Sequence, residues 1–330
     1  MDRVTVVIPC YNEEQVVDLY MSAMLKIEKE EPDIAFDYIF VDDGSSDRTL
    51  DKLKELSSGR ENIGYISFTR NFGKEAAILA GLEHAGGDYV VLMDVDLQDP
   101  PSFVPEMYRQ IKTGRFDCVA TRRVTRQGEP PIRSFFARMF YKLINRISDL
   151  NITDGARDFR MMTRQYVGSI LKIREYNRFS KGIFSWVGFN TKWLEYENVE
   201  RAAGETKWSF WKLFKYFIEG VTAFSTVPLM LSSFAGILCF FSAIFIALLY
   251  AVKAIIYGDP VAGFPTLICF ILIIGGANFL FLGILGQYVS KMYLETKHRP
   301  VYLIKSQHTA GGQYSLQAPG GRAASGDSSR

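Results

Sequence analysis

Two acidic residues in the segment DVDLQDPP, at 94–101, have the spacing of a metal site. Asp94 and Asp96 close the apolar run DYVVLMDVD, which predicts a strand over 88–96. Because side chains alternate along a strand, we expect both carboxylates to point to the same side. Such oxygen ligands suit Mg²⁺ or Mn²⁺, which commonly bind few carboxylates together with substrate phosphates. A metal held there would offset the charge on a departing diphosphate, although acidic pairs also occur in solvated turns.

A second acidic pair, Asp42 and Asp43, lies in VDDGSSDRT at 41–49, where a predicted strand gives way to a helix. One reading is that either carboxylate hydrogen-bonds the base or ribose of a nucleotide. The other is local, because Asp43 or Ser45 could serve as a turn or helix-capping residue. The first turn contains neither a GxGxxG nor a Walker motif, which argues against a dinucleotide cofactor or an NTPase.

These residues follow short apolar runs that alternate with helical patterns. Strands are predicted at 4–11, 36–42, 65–69, 88–96 and 116–123, and helices at 13–29, from Asp47, from Lys74 and at 101–113. Alternation of this kind predicts an α/β fold, a mostly parallel Rossmann-like sheet with helices on both faces. Ligands of such sheets bind at the carboxyl ends of the strands, where the acidic residues fall.

Composition excludes several classes of protein. The 330 residues include 38 Lys and Arg against 36 Asp and Glu, a balance that does not favour a nucleic-acid partner. The four cysteines have no CxxC spacing and support neither a zinc site nor a disulfide framework. The amino terminus, MDRVTVVIPCYNEE, is unlike a secretory signal, so we expect the front of the chain to stay in the cytoplasm.

Two apolar segments, 229–252 and 264–290, contain no Asp, Glu, Lys or Arg. Each exceeds the roughly 20 residues needed to cross a bilayer, so they predict a transmembrane hairpin rather than buried core helices. Lysines and arginines flank the pair on both outer sides, which predicts that both termini are cytoplasmic. Four glycines in the second segment would permit close packing within the hairpin or contacts in a homo-oligomer.

The remaining segments complete the predicted organisation. Basic amphipathic patterns at 132–147 and 207–220 favour helices lying in the membrane interface, or else helices packed on the catalytic core. The catalytic domain is predicted over 1–206, a cytoplasmic segment over 291–307 and a disordered tail over 308–330.

Six motifs occur in an order typical of one enzyme family: VIPCYNEE, VDDGSSDRT, NFGKEAAILAGLEHAGGD, MDVDLQDPP, RDFRMM and RAAGETKWS. In this respect the chain resembles the family 2 glycosyltransferases of the GT-A fold. More narrowly, it is similar to the polyprenyl-phosphate glycosyltransferases, among them the bactoprenol glucosyltransferases and dolichol-phosphate mannose synthase. The resemblance covers about residues 3–304, including the apolar hairpin and the KHRPVYLI that follows it.

The resemblance implies a role for individual residues. The donor nucleotide-sugar would lie against Pro9, Tyr11, Glu13, Asp42, Asp43 and Asp94, and the metal and diphosphate against Asp94, Asp96 and Gln98. Asp158 in RDFR would lie beside the acceptor and the donor sugar, making Asp96 and Asp158 the catalytic carboxylates. Members of the family usually carry GDFR, so Arg157 is a departure that bears on the geometry of Asp158.

The acceptor implied by the resemblance is a polyprenyl phosphate such as undecaprenyl phosphate. A phosphate monoester is largely a dianion at neutral pH and needs no strong base, but it needs cations to orient it. The candidate cations are Arg122, Arg133, Arg201 and Lys207, each of which could instead be solvated surface charge. By analogy with the family, direct attack on C1 would invert the anomeric configuration, with Asp158 as base or orienting residue.

The expected activity is therefore transfer of a sugar from a nucleotide-sugar, with UDP-glucose as the favoured donor, at the cytoplasmic face of a bacterial inner membrane. One alternative is a processive polysaccharide synthase, which normally adds a QxxRW motif, but no Trp in this chain follows an Arg. Another is a non-catalytic membrane scaffold or transporter subunit. The apolar segments carry no charged residue that would mark an ion path.

Overall fold

The computed structural model describes residues 1–124, 153, 155–197 and 264–310, with single positions between 227 and 256. The predicted amphipathic segments at 132–147 and 207–220 lie outside these residues, as does most of the 229–252 segment. The tail beyond residue 310 lies outside them as well.

One sheet organises the described part of the chain. Its strands are β1 Asp2–Cys10, β2 Ile34–Asp42, β3 Ile63–Phe68, β4 Tyr89–Leu92, β5 Cys118–Arg123, β6 Ala156–Thr163, β7 Thr191–Tyr196 and β8 Ile304–His308. The helices are α1 Val17–Glu30, α2 Thr49–Gly59, α3 Lys74–His84, α4 Val104–Lys112, α5 Arg164–Lys172, α6 Ser180–Trp186 and α7 Phe264–Thr296. A short 3₁₀ turn at Pro101–Phe103 precedes α4.

The strand order is β7-β5-β6-β4-β1-β2-β3-β8. The central four strands are parallel, and Cys10, Asp42 and Ser67 stand in register at their carboxyl ends. On one side β6 runs antiparallel between β4 and β5, and on the other β8 runs antiparallel to β3. The start of β6 therefore lies at the same edge of the sheet as the ends of the parallel strands, which is where ligands bind in such folds.

Both faces of the sheet are covered by helices, which explains why β1 is an almost continuous apolar run. Side chains alternate across the sheet, so Val6 packs with α1, α2 and α4 on one face. Val7 packs with α3, α5 and α6 on the other. Helix α3 approaches β1 closely at Gly81, where a Cβ atom would lie 2.1 Å from Val7 Cγ1. Glycine is thus required for the close contact between α3 and the sheet.

The predicted α/β fold and the helix beginning at Lys74 are confirmed, and the structure also differs from the prediction in several places. Strand β4 ends at Leu92, so Asp94 and Asp96 lie in a loop and the prediction that strand alternation orients them was wrong. The start of α2 is held by Asp47, whose Oδ1 accepts from Thr49 N at 3.0 Å, and not by Asp43 or Ser45. Strands β6, β7 and β8 and helices α5 and α6 were not predicted. Strand β8 depends on pairing with a strand far away in the chain.

Helix α7 contains the second predicted membrane segment. Within the residues that the structure describes, one helix is long and apolar enough to cross a membrane, over Ile273–Thr296. Side chains along it, such as Ile273, Phe279 and Leu282, are exposed. In the first predicted segment the structure describes only separate positions, which are helical.

Candidate active site

Lys74, at the start of α3, links two acidic residues at the edge of the sheet. Leu92 pairs with Arg160 at the end of β4, and Asp94 and Asp158 each lie two residues beyond this pair at the same edge of the sheet. The Lys74 Nζ atom lies 2.6 Å from Asp158 Oδ2 and 2.8 Å from a carboxylate oxygen of Asp94. The ammonium group thus bridges the acidic residue of DVD and that of RDFR, and we call Lys74, Asp94 and Asp158 the bridged cluster.

Charge pairing sets the protonation of the bridged cluster. Burial by itself would raise the pKa of the Asp158 carboxyl, but the charges of Lys74 and Lys181 outweigh it and hold that pKa well below its usual range. Burial raises the pKa of Asp94, an effect that Lys74 opposes. The two carboxylates in turn raise the pKa of Lys74 despite its own desolvation. Asp158 is therefore ionised and Lys74 charged at neutral pH.

The bridged cluster remains open to the solvent on one side. Some 44% of the Lys74 side chain is exposed, compared with 16% for Asp158. The Lys74 ammonium group can therefore contact an anionic ligand on its exposed side while Asp94 and Asp158 bind it on the other. This partial exposure also means that water screens the ion pairs and weakens them.

Asp96 and Gln98 lie in the loop that follows Asp94. Asp96 Oδ1 accepts a hydrogen bond from Gln98 N at 3.1 Å, and between them Leu97 takes a left-handed backbone conformation with φ of 56°. Gln98 Oε1 accepts from Arg157 Nη2 at 3.4 Å. The loop is therefore a tight turn that is tied to the start of β6.

The donors of this loop fit a hard divalent cation. Asp94, Asp96 and Gln98 offer carboxylate and amide oxygens, the ligands that Mg²⁺ and Mn²⁺ prefer. The described residues contain no group of three or more His, Cys, Asp or Glu side chains that could hold a metal. An ion held here would therefore need further oxygens, which the phosphates of a ligand can supply.

Asp42 lies at the end of β2 and is almost completely buried. Its Oδ2 accepts from the Ser67 hydroxyl at 2.7 Å, and its Oδ1 accepts from Ser45 N at 3.0 Å. These bonds join the ends of β2 and β3 and fix the loop after β2. A contact between Asp42 and a nucleotide stays a prediction.

Asp43 fixes the backbone in front of Lys74. Its carboxylate accepts from Phe72 N at 2.7 Å and from Gly73 N at 2.9 Å. Burial raises the pKa of Asp43, and the two backbone hydrogen bonds oppose the rise. Because Gly73 immediately precedes Lys74, Asp43 sets where α3 begins.

The loop after β1 carries the remaining predicted nucleotide contacts. Pro9 is in β1, and Tyr11, which follows the strand, has 46% of its surface exposed. Asn12 has a φ of 55° and accepts from Ser46 N at 2.8 Å, while Glu13 N donates to Thr49 Oγ1 at 2.8 Å. The structure thus brings Pro9, Tyr11 and Glu13 to the same sheet edge as Asp42, beside the bridged cluster. Their nucleotide contacts stay predictions.

Of the predicted phosphate ligands, Arg122 is described and is already paired. Its guanidinium forms an ion pair with Glu195 on β7, with Nε 3.0 Å from Oε1. A phosphate would have to compete with this carboxylate. The other candidates, Arg133, Arg201 and Lys207, lie outside the described residues.

Arg157 points away from Asp158 because neighbouring side chains alternate along β6. Its Nε lies 3.0 Å from Asp99 Oδ1, and the Tyr196 hydroxyl also donates to Asp99. The residue that departs from the family pattern therefore holds the loop after Gln98. It leaves the side of the strand that carries Asp158 unobstructed.

Arg160 braces the backbone that carries Asp158. Its Nη2 donates to the Arg157 carbonyl at 2.8 Å and its Nε to the Asp158 carbonyl at 3.2 Å. The buried guanidinium also stacks on the Phe184 ring, 3.6 Å from its centroid. Sequence reasoning missed Arg160, although it belongs to the RDFR motif.

Sequence reasoning also missed Lys74 and Glu75. A signal was present, since both lie in NFGKEAAILAG directly after the Gly that starts the helix. A lysine at a helix start is unusual for the helix dipole, which favours acidic residues there. The carboxylates of Asp94 and Asp158 offset the unfavourable interaction of the Lys74 charge with the helix dipole.

The arrangement suits chemistry on phosphate esters. The carboxylates of Asp94 and Asp96 can hold a cation beside a diphosphate, and Asp158 stays ionised and can orient an acceptor. Lys74 supplies a fixed positive charge between them. No part of the described site resembles a Ser, Cys or His nucleophile arrangement, and His84 instead bonds the Ala80 carbonyl within α3.

Comparisons with known proteins agree with this chemistry. The model of the family "Glycosyl transferase family 2" matches residues 5–171. The relative named "Putative glycosyltransferase CsbB", of Bacillus subtilis (strain 168), is 43% identical over 92% of this chain and 91% of its own. The bactoprenol glucosyl transferase of Shigella phage SfV is 37% identical over 92% of this chain and 99% of its own.

Among solved structures, glucosyl-3-phosphoglycerate synthase from Mycobacterium tuberculosis with Mn²⁺ and UDP-Glc covers 67% of this chain and 78% of its own. Its identity of 21% and TM-score of 0.44 are too low to bear on the ligands of this chain. The family match and the two relatives suffice for classification. The chain therefore belongs to glycosyl transferase family 2 and is a glycosyltransferase.

Proposed function

We propose that this enzyme transfers glucose from UDP-glucose to the phosphate of a polyprenyl lipid such as undecaprenyl phosphate. The relatives named bactoprenol glucosyl transferase support this acceptor and this sugar, because they match the chain over 92% of its length. The match extends beyond the catalytic sheet into the apolar segments, where a lipid acceptor would be met.

The observation that carries the proposal is the bridged cluster. In this cluster the ammonium group of Lys74 lies between the ionised Asp158 and Asp94. The cluster is at the sheet edge where a nucleotide-sugar would bind. In the proposed reaction a phosphate oxygen of the acceptor attacks C1 of glucose. The bond from C1 to the diphosphate oxygen breaks with its electron pair, UDP leaves, and the configuration at C1 is inverted.

The proposed reaction assigns a separate role to each group of residues in the site. Asp158, whose lowered pKa makes it a weak base, orients the acceptor together with Lys74, which attracts the negative charge shared by donor and acceptor. Asp94, Asp96 and Gln98 would hold Mg²⁺ or Mn²⁺, which would offset charge on the leaving diphosphate. Tyr11 and Asp42 would line the nucleotide.

We also propose that the protein is an integral membrane enzyme with two spans, 229–252 and 264–290, and a cytoplasmic catalytic domain. The exposed apolar side chains of α7 support the second span. The lysines on both outer flanks of the pair support the orientation. The site would then meet the phosphate of a lipid at the membrane surface.

The test uses the full chain in detergent with undecaprenyl phosphate, Mg²⁺ or Mn²⁺, and a panel of labelled nucleotide-sugars. We expect label from UDP-glucose to enter the organic phase only with metal, and Asp96→Asn to abolish transfer. Asp51→Asn, which changes an exposed carboxylate on α2, is the matched control and should keep full activity. Transfer from another donor would correct the sugar, and no transfer from any donor by folded protein would refute the proposal.

A further inference from the structure

The segment at the end of α7 contacts the catalytic domain close to the bridged cluster. Glu295, in the last turn of α7, accepts hydrogen bonds at Oε1 from Tyr176 N at 2.8 Å and from Asn177 N at 3.2 Å. Both amides belong to the loop 173–179 between α5 and α6. One carboxylate thus docks the end of the long apolar helix onto this loop.

The same loop is connected to the start of α3, where Lys74 lies, by hydrogen bonds of the residue that follows it. Ser180, the residue after the loop, donates from its backbone N to Glu75 Oε2 at 2.9 Å and also from its hydroxyl. The Ser180 side chain is almost completely buried and Glu75 is partly buried, and burial raises the pKa of Glu75. Glu75 is the neighbour of Lys74, so any shift of the loop moves the helix start that presents the ammonium group.

The far end of α3 is held by the same part of the chain. The Tyr302 ring stacks on Phe68 with centroids 4.9 Å apart, and its hydroxyl donates to Glu83 on α3. Leu303 accepts at its carbonyl from Thr69 N at 3.0 Å, after which β8 pairs with β3. The stretch 295–308 therefore contacts the end of α3 directly and reaches its start through the loop 173–179 and Ser180.

We propose that Glu295 is a positioning residue, which aligns Lys74 with Asp94 and Asp158 by docking the end of α7 onto the loop 173–179. The proposal rests on the proposed function, in which α7 is a membrane span. Glu295 touches no reacting group and acts through Ser180 and Glu75. The apolar helix thereby sets the geometry of the active site as well as the location of the enzyme.

The reason for expecting an effect on catalysis is geometric. A carboxylate that accepts two backbone N–H groups holds a loop firmly, because both bonds are charge-assisted. Losing them lets the loop and Ser180 shift, and displacements of about 1 Å at a reacting group can cost about a hundredfold in rate. A residue that merely ties down a helix end would lower stability and leave turnover unchanged.

The experiment compares Glu295→Ala with Glu295→Gln in the full chain in detergent. The Gln side chain keeps an oxygen that can accept from the amides, so it should restore the function that Ala loses. Lys297→Ala is the matched control, because Lys297 lies at the same helix end and contacts the ring of Tyr293 on its own helix. Each variant is assayed for kcat and for the KM of the nucleotide-sugar, and by hydrogen–deuterium exchange.

We expect Glu295→Ala to lower kcat by about tenfold or more at an unchanged KM for the donor. Exchange should rise in the loop 173–179 and in the first turn of α3, and both changes should be absent in Glu295→Gln and Lys297→Ala. Normal kcat in Glu295→Ala, or exchange that rises in the loop and not in α3, would overturn the proposal.

Failure of the proposed function would be recognised separately. In that case the unaltered protein transfers no sugar from any donor to the lipid, whereas the exchange comparison still reports on α3. Faster exchange in the first turn of α3 in Glu295→Ala alone would then support the positioning role. Its absence would overturn that role whatever the reaction.

Discussion

Arg157 and Asp99 form an ion pair in which the carboxylate is almost completely buried, with Arg157 Nε 3.0 Å from Asp99 Oδ1. The pair joins the start of β6 to the loop that carries Asp96 and Gln98. Where the family usually has Gly, this chain therefore has an arginine that links the RDFR motif to the DVDLQDPP loop. Asp158, the next residue, points to the other side and reaches Lys74.

Removing the ion pair between Arg157 and Asp99 should destabilise the protein. Arg157→Ala leaves Asp99 buried with the Tyr196 hydroxyl as its remaining partner, and we expect the free energy of unfolding to fall by about 2 kcal/mol. Chemical denaturation of the full chain in detergent measures this. Arg122→Ala, which breaks an exposed ion pair, should cost less than about 1 kcal/mol. Equal losses in the two variants would contradict the prediction.

Lys74 should control the pH dependence of the reaction. Its charge lowers the pKa of Asp158 against the effect of burial, so Lys74→Met should raise that pKa. The acid limb of kcat/KM should then move to higher pH, because Asp158 would be protonated over a wider range. Activity of Lys74→Met at neutral pH should fall by about a hundredfold. Lys74→Arg keeps the positive charge, so the acid limb of its pH profile should stay close to that of the unaltered enzyme. An acid limb that stays in place in Lys74→Met would count against this role.

The sequence predicted the elements better than the contacts between them. The α/β alternation, the helix at Lys74 and the position of Asp94 at the strand ends follow from local patterns. The pairing of Lys74 with Asp158 does not, because the two residues are 84 positions apart and Asp158 is brought to this edge of the sheet by the antiparallel pairing of β6 with β4. No local pattern encodes that register.

Strand β8 shows the same limit. Its five residues, IKSQH, are mostly polar and exposed, so they lack the apolar alternation by which strands are recognised. They become a strand because the edge of β3 offers unpaired backbone groups and Tyr302 packs on Phe68. The contacts that stabilise β8 are therefore non-local, as are those of Glu295 with Tyr176 and Asn177.

Asp43 should matter through the backbone it holds. Asp43→Ala removes the acceptor of Phe72 N and Gly73 N, and the loss of hydrogen bonds to a charged acceptor should cost about 2 kcal/mol of unfolding free energy. Because Gly73 precedes Lys74, kcat should fall as well. Asp18→Asn, which alters an exposed carboxylate paired with Lys52, is the control for stability and activity. If Asp43→Ala lost donor binding with unchanged stability, a direct nucleotide contact would be the better explanation.

Glu75 should make stability depend on pH in the opposite sense from a paired surface carboxylate. Burial raises its pKa in the folded state, so the folded protein holds this proton more tightly than the unfolded chain. Its contribution is then fully present below the ordinary pKa of a glutamate and is lost as the pH rises through the raised value. Glu75→Gln cannot titrate but can still accept from Ser180. The unfolding free energy of the unaltered protein, relative to Glu75→Gln, should therefore decrease as the pH rises above the ordinary pKa of a glutamate, by about 1.4 kcal/mol for each unit of the pKa shift. Denaturation of both proteins at a series of pH values above that point measures the difference, and a difference that is constant or increases with pH would show that the carboxylate is stabilised in its ionised form.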